Sequence, residues 1–206
     1  MKRLTTAALS TAFALALANF APAQDWSGES FRLTSREFKD GDTLPISAIS
    51  NYTVKGSNAC SINGAPGGNE SPELMWSQAP RATRSFALTV FDVTAGVVHW
   101  GMYNISAEIT SLPKNAGIAD SSYGQQVLNV FSDQSYDGPC PPADYPPNNH
   151  HYVFTIYALD TELDLYSPAN FPASALTLYR ALLDAGRSNH ILASATLTGL
   201  YSTTPP

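Results

Sequence analysis

The chain has 206 residues, 44% hydrophobic and 14% charged, with a formal net charge of −6. That acidity gives no general footprint for nucleic acid or an anionic membrane surface, so any anion site must be local. The length suits one domain with a sizeable core.

Residues 1–23 begin with Lys2 and Arg3, continue through an apolar segment from Ala7 to Ala18, and leave through Ala21-Pro22-Ala23. This pattern predicts a secretory signal peptide, with residues 24–206 as a single exported domain, periplasmic or secreted. The alternative is a membrane anchor, but an apolar core of about 12 residues falls short of the ~20 that span a bilayer. No later segment is apolar enough to cross a membrane, so no integral membrane segment is expected after cleavage. In an oxidising compartment the two cysteines, Cys60 and Cys140, are most simply a disulfide; unpaired thiols or a zinc site are the other readings.

In chain order, a strand is expected around Ser30–Ser35, a turn at Lys39–Asp42 and a further strand over Ile46–Val54. The glycine-rich stretch Lys55–Asn69 reads as an irregular surface loop. Strands follow at Leu74–Ser77 and Ser85–Asp92. In the second of these Phe86, Leu88 and Val90 share a face with Asp92, which places a carboxylate at the end of an apolar row. Asp92 is open to two readings, a turn-initiating aspartate or a pocket carboxylate. The next strand, Val97–Ile105, carries His99 beside Trp100, where a packed core histidine is the ordinary expectation.

The stretch Tyr136–Asp160, YDGPCPPADYPPNNHHYVFTIYALD, is a proline-stiffened loop leading through His150 and His151 into an apolar run. Tyr152, Phe154, Ile156 and Ala158 fall on one face and Val153, Thr155, Tyr157 and Leu159 on the other, the pattern of a central strand covered on both sides. Strand alternation should point His151 away from His150. Phe171–Gly186 reads as a helix with Ala175, Leu178, Leu182 and Leu176, Tyr179, Leu183 on an apolar face, and Gly186 just past its end. A last strand, His190–Tyr201, should align Ile191, Ala193, Ala195 and Leu197. Short strands, frequent turns and one late helix make a mainly antiparallel β protein of two packed sheets.

The order SPELMW, SFALTVFD, HWGMYNI, TSLP, GPCPP, HHYVFTIYALD and HILASATLTGLY resembles the phosphatidylethanolamine-binding protein family, in its bacterial Raf-kinase-inhibitor-like branch, from Phe31 to Tyr201. The resemblance implies a mainly β fold, with a large antiparallel sheet packed on a smaller one, a C-terminal helix and a small anion pocket at one end. It implies a pocket built from Asp92, His99, His150 and Tyr152, with Cys140 and Pro141 in the loop wall and His151 where many relatives have arginine. The chain departs from the family in three places. The usual DPDAP motif reads Asp92-Val93-Thr94-Ala95-Gly96, Val97 stands where relatives often have an aromatic residue, and the loop before His150 carries Ala143–Asn149 in place of a glycine-rich passage.

Two histidines and a carboxylate at adjoining strand ends suit a phosphate or phosphoethanolamine-like headgroup, bound by imidazolium donors whose hold weakens as pH rises through the histidine pKa. The expected function is an exported, non-enzymatic binding protein with a small anionic ligand or phospholipid headgroup as partner, no cofactor and no nucleic acid. The alternative is an interaction or inhibitor protein, kinase- or protease-inhibitor-like, whose pocket is a docking site or vestige. The trio could instead hold a divalent metal, although no HExxH-type spacing supports it. A hydrolase using a histidine as general base on water or a serine is a further reading, although no GxSxG elbow is present and Ser71, Ser77 and Ser85 read equally well as turn and strand-start residues.

Overall fold

The computed structural model describes residues 30–143, 146–165 and 173–204, with the side chain at 63 left aside. The expected leader, residues 1–23, lies outside the described residues. Among the described residues ten strands and one α-helix follow in order: β1 (Arg32–Thr34), β2 (Thr53–Val54), β3 (Ser57–Asn58), β4 (Leu74–Ser77), β5 (Ser85–Asp92), β6 (Val97–Ser106), β7 (Ser111–Leu112), β8 (Gln125–Gln126), β9 (His150–Leu159), α1 (Ala175–Arg187) and β10 (Ile191–Tyr201). They form a five-stranded antiparallel sheet in the order β10-β9-β5-β6-β8, a three-stranded sheet β1-β4-β7 and the hairpin β2-β3. The expected large sheet on a small one with a late helix is the architecture observed.

The large sheet is covered on both faces by different layers. Leu33, Trp76, Phe86, Trp100, Phe154 and Ile156 form the core between the two sheets. On the other face Ala87, Val127, Leu159, Leu178 and Leu182 form a second cluster under α1. Gly101 allows that approach, since a Cβ there would lie 2.6 Å from Val127 and 2.9 Å from Leu178. The helix-side face of β9 is only partly covered, with Val153, Thr155 and Tyr157 half-buried.

Several expected elements differ. The strand expected over Ile46–Val54 is a 3-10 turn at Ile46–Ala48 followed by the short β2. Pro45 leads into that turn, which buries Ala48 and Ile49 in succession, an outcome strand alternation cannot produce. The stretch 55–69 is no simple surface loop. Lys55 and Gly56, both at positive φ, make a tight hairpin turn, and Asn58, Cys60 and Ser61 behind it are buried.

The helix runs Ala175–Arg187, capped by Ser174, and the expected start at residue 171 lies outside the described residues. Gly186 is helical, and Asn189 at φ 58° makes the reversal instead. Of the two apolar rows only Leu178 and Leu182 are buried, joined by Ala185; Leu176, Tyr179 and Leu183 are exposed, because the helix meets the sheet along a single stripe. In β10 a register shift between Ile191 and Ala193 moves Ile191 to the helix-side cluster, while Ala195 and Leu197 face the inter-sheet core.

Candidate functional site

The pocket end of the sheet is set by pairing between β5, β6 and β9. Asp92, the last residue of β5, lies across from Tyr152 on β9 and Val97 on β6. Between Val90↔Trp100 and Phe91↔Val98 the register slips, so His99 is the extra residue of a β-bulge. A bulge re-aims a side chain, and here it buries His99 and Trp100 consecutively. His150, at the start of β9, is buried, while His151 is exposed as alternation requires.

Asp92 carries both roles left open by its sequence, one on each oxygen. Oδ1 accepts from the Thr94 and Ala95 amides at 2.9 and 3.0 Å, and Oδ2 accepts from His150 Nδ1 at 2.6 Å. The side chains of His150 and Asp92 are only 7% and 3% exposed. Gly96, at φ 74°, closes the turn where the family's prolines would stand.

His99 Nδ1 donates to the Asp137 carbonyl at 2.7 Å, which fixes its tautomer and leaves Nε2 on the opposite edge. Burial pushes the imidazole below its ordinary pKa, against the pull of the Asp137 carbonyl and the Asp92 and Asp137 charges, so the ring is neutral at pH 7. The expected imidazolium donor is therefore corrected at His99: in this tautomer its Nε2 is an acceptor. Tyr152 packs edge-on against His99, with ring centroids 5.2 Å apart, and stacks on His150 at 6.3 Å. Burial, and then the Asp92 charge, hold its phenol far above the usual range, so it stays protonated.

Asp92, His99, His150, Tyr152, Cys140 and Pro141 all line one cavity of about 610 Å³. Cys140 is bonded to Cys60, 80 residues away, which joins the proline loop to the β2-β3 segment. The Cys60 carbonyl accepts from the Tyr201 hydroxyl, and the Pro139 carbonyl accepts from the Ser50 amide. Gly138 lies so close to the backbone of residues 48–50 that a Cβ there would collide with it. No three His, Cys, Asp or Glu side chains among the described residues are grouped to hold a metal ion.

Sequence reasoning missed a second set of lining residues. Asp133, Asp137 and Phe131 enter from the loop after β8, and Ser50, Asn51 and Tyr52 from the opposite wall. Phe131 stands edge-on to His99 at 5.5 Å, supplying an aromatic ring that Val97 does not. Buried Asn129 organises this loop. Its Nδ2 donates to Asp137 Oδ2 at 2.6 Å and to the Ser135 carbonyl, and its Oδ1 accepts from the Phe131 and Asp133 amides. Burial and neighbouring Asp133 raise the Asp137 carboxyl above the usual range, against lowering contributions from Asn129, Asn69 and His99. The only sequence signal was Asp137 inside the conspicuous YDGPCPP run.

Known proteins share this arrangement of sequence and fold. The chain is 39% identical over 140 residues to UPF0098 protein YbcL of Escherichia coli (strain K12), covering 64% of this chain and 70% of that one. It is 31% identical over 179 residues to YbhB of the same organism, covering 83% and 99% respectively. The crystal structure of YbcL, described as a new member of the mammalian PEBP family, superposes with a TM-score of 0.66 at 32% identity, over 85% of this chain and all of that one. The family model for phosphatidylethanolamine-binding protein matches residues 34–202, nearly everything from β1 to the end of β10, and the chain belongs to that family.

Proposed function

We propose that this protein is an exported, non-enzymatic binding protein whose cavity takes a small phosphate-type anion, with a phosphoethanolamine-like headgroup as the reference ligand. The observation that carries this reading is the buried His150–Asp92 pair beside the protonated Tyr152 hydroxyl in one cavity. Asp92 fixes the His150 ring through Nδ1, so in its imidazolium form His150 has Nε2–H left for a ligand oxygen. The Ser50 hydroxyl and the Asn51 side-chain amide add neutral donors to the lining, while the Tyr152 hydroxyl hydrogen-bonds Asp92.

A binding role fits better than hydrolysis. The Cys140 sulfur is committed to the disulfide, and among the described residues no histidine side chain hydrogen-bonds a hydroxyl that it could activate. Ser71 and Ser85, near the strand motifs, spend their hydroxyls on the Gly117 amide and the Thr161 carbonyl. The disulfide favours an oxidising compartment.

Calorimetric titration with phosphoethanolamine tests the reading. One saturable site is expected in the wild type, weakened more than about tenfold in His150→Ala and in Asp92→Asn, the scale of one lost charge-assisted hydrogen bond. No binding by the wild type, or binding that survives both substitutions, overturns it. A stoichiometric protein partner retained by both variants would favour an interaction protein instead.

A further inference from the structure

β10 is the outer strand of the large sheet and pairs with β9 alone. Its last residues are covered. Gly41 and Leu44 donate their amides to the Thr198 and Leu200 carbonyls, and the Leu200 amide donates to the Asp42 carbonyl, each at 2.8 Å. The Thr198 amide donates to Asp40 Oδ1, also at 2.8 Å. Thr198 and Leu200 therefore point their backbone groups away from β9. The register with β9 holds from Ala193 to Tyr201, so Ser194 and Thr196 point theirs the same way. Leu192 falls in the register shift and has no partner residue on β9. Among the described residues nothing bonds the backbone amides or carbonyls of Ser194 and Thr196, and both residues are exposed.

This open edge carries none of the usual guards. Edge strands are ordinarily blunted by a charge, a proline or a covering segment. Ile191–Tyr201, ILASATLTGLY, contains no charged residue and no proline, and the cover from residues 40–44 stops at Thr198.

The open run also matches itself. In an antiparallel pair about a two-fold axis at Ser194, Ser194 meets its own image and Thr196 meets Leu192 of the second copy. A charge near the axis would be set against itself, and the strand has none. Thr198 comes level with the second copy's His190, which follows the chain reversal at Asn189, φ 58°. The second strand thus begins where the cover over the first one starts. Charge agrees with the same alignment. Lys39, Asp40 and Asp42 lie at one end of the run, and Asp160, Asp184, Arg187 and His190 at the other. Asp40 and Asp42 join no ion pair among the described residues, and the two-fold brings them to the end of the second copy that carries Arg187 and His190.

We propose that Leu192–Thr196 is a homodimer interface, on which the same run of a second copy pairs antiparallel about a two-fold axis at Ser194 and joins the two large sheets into one. The proposal is independent of the ligand reading. Ser194 lies across from Tyr157, seven residues along β9 from His150, so the pairing leaves the cavity end free.

A strand pairing this short is small beside the ~1,200 Å² of a stable interface, so a weak dimer that dissociates in the micromolar range is expected. Sedimentation velocity of the protein from about 1 to 500 µM tests it, with amide hydrogen exchange read at Ser194 and Thr196 over the same range. The dimer and slowed exchange at both amides should appear together as concentration rises. Ser194→Lys, at an exposed side chain, sets two like charges at the axis and should weaken the dimer about tenfold or more, with part of the loss restored by added salt. Ser194→Pro removes an amide that β9 does not use and should abolish the dimer; if that variant fails to fold, Ser194→Lys alone decides. A protein that stays monomeric up to about 500 µM overturns the proposal, and so does a dimer that keeps its affinity in Ser194→Lys. Slow exchange at Ser194 and Thr196 in the dilute monomer overturns it as well, because the edge is then covered from within the chain. If that protection disappears on deletion of residues 24–29, the chain's own N-terminal segment is the occupant.

Discussion

The two ends of the large sheet are made from the same parts and become different things. At each end β6 is irregular, with His99 as an extra residue at one end and Asn104 at φ 53° at the other. At each end of β9 a histidine meets an aspartate, His150 with Asp92 at 2.6 Å and His190 with Asp160 at 2.8 Å. At each end an asparagine fastens a loop: Asn129 holds residues 131–137, and Asn104 bonds both the amide and the carbonyl of Leu163.

Burial separates them. The His150 and Asp92 side chains are 7% and 3% exposed, against 49% and 35% for His190 and Asp160. In water a His–Asp pair competes with solvent and is worth little. Under the disulfide-tied wall and the Asn129 loop, the same pair has a fixed ring and a cavity in front of it. What covers a pair of side chains therefore decides whether the pair lines a cavity or stands in solvent.

The sharpest break to attempt is at the two aspartates. Asp92→Ala removes one member of a buried pair and the acceptor for two turn amides, so a loss of about 3–5 kcal/mol is expected in urea denaturation. Asp160→Ala at the other end should cost less than about 1 kcal/mol. Similar losses at both positions would mean that burial is not what distinguishes the ends.

The legible parts of this molecule are those with a period. β9 alternates from His150 to Ala158, and β5 from Leu88 to Asp92. Their register then brings Asp92, His150 and Tyr152 together, because each is a fixed number of steps from an apolar row that must face the core. The bulge at His99 was not legible, since a register slip depends on how two distant strands match. Asn129, Asp133 and Asp137 lie in a loop with no periodicity, and their roles arise only when the fold brings them beside His99. Cys60 reads as surface in a glycine-rich stretch, yet its bond to Cys140 and its carbonyl contact with Tyr201 draw it inside. In α1 two apolar rows are equally plausible on paper, and only packing against the sheet chooses the row through Leu178 and Leu182.

A smaller effect, in the opposite direction, is expected from Asp137→Asn. Its folded pKa is raised, so the carboxyl contributes stability below its ordinary value of 3.8 and loses it as pH rises through the folded value. At pH 7 the charged form is unfavourable in the unliganded protein. Asp137→Asn should raise Tm at pH 7 by on the order of a few degrees at most, with the gain vanishing towards pH 4. His99 works with the opposite sign. Its folded pKa is depressed, so wild-type stability is full above about 6.5 and declines as pH falls below it. Thermal melts between pH 4 and 8 read both trends, and a variant less stable than wild type at pH 7 would contradict the assignment of Asp137.

The smallest effect is the control on which the comparison depends. His190 sits just before β10, and besides the Asp160 contact its amide donates to the Ala185 carbonyl while its own carbonyl accepts from the Asp160 amide. Those backbone bonds persist in His190→Ala, so only the exposed imidazole contact is lost. The stability cost should stay under about 1 kcal/mol and shrink further in added salt, because solvent and ions screen an exposed pair. Phosphoethanolamine affinity should not change, since the pair lies at the far end of β9 from the cavity. A His190→Ala variant that lost ligand as His150→Ala is expected to would show the two ends coupled through β9, and the cavity alone would no longer account for the site.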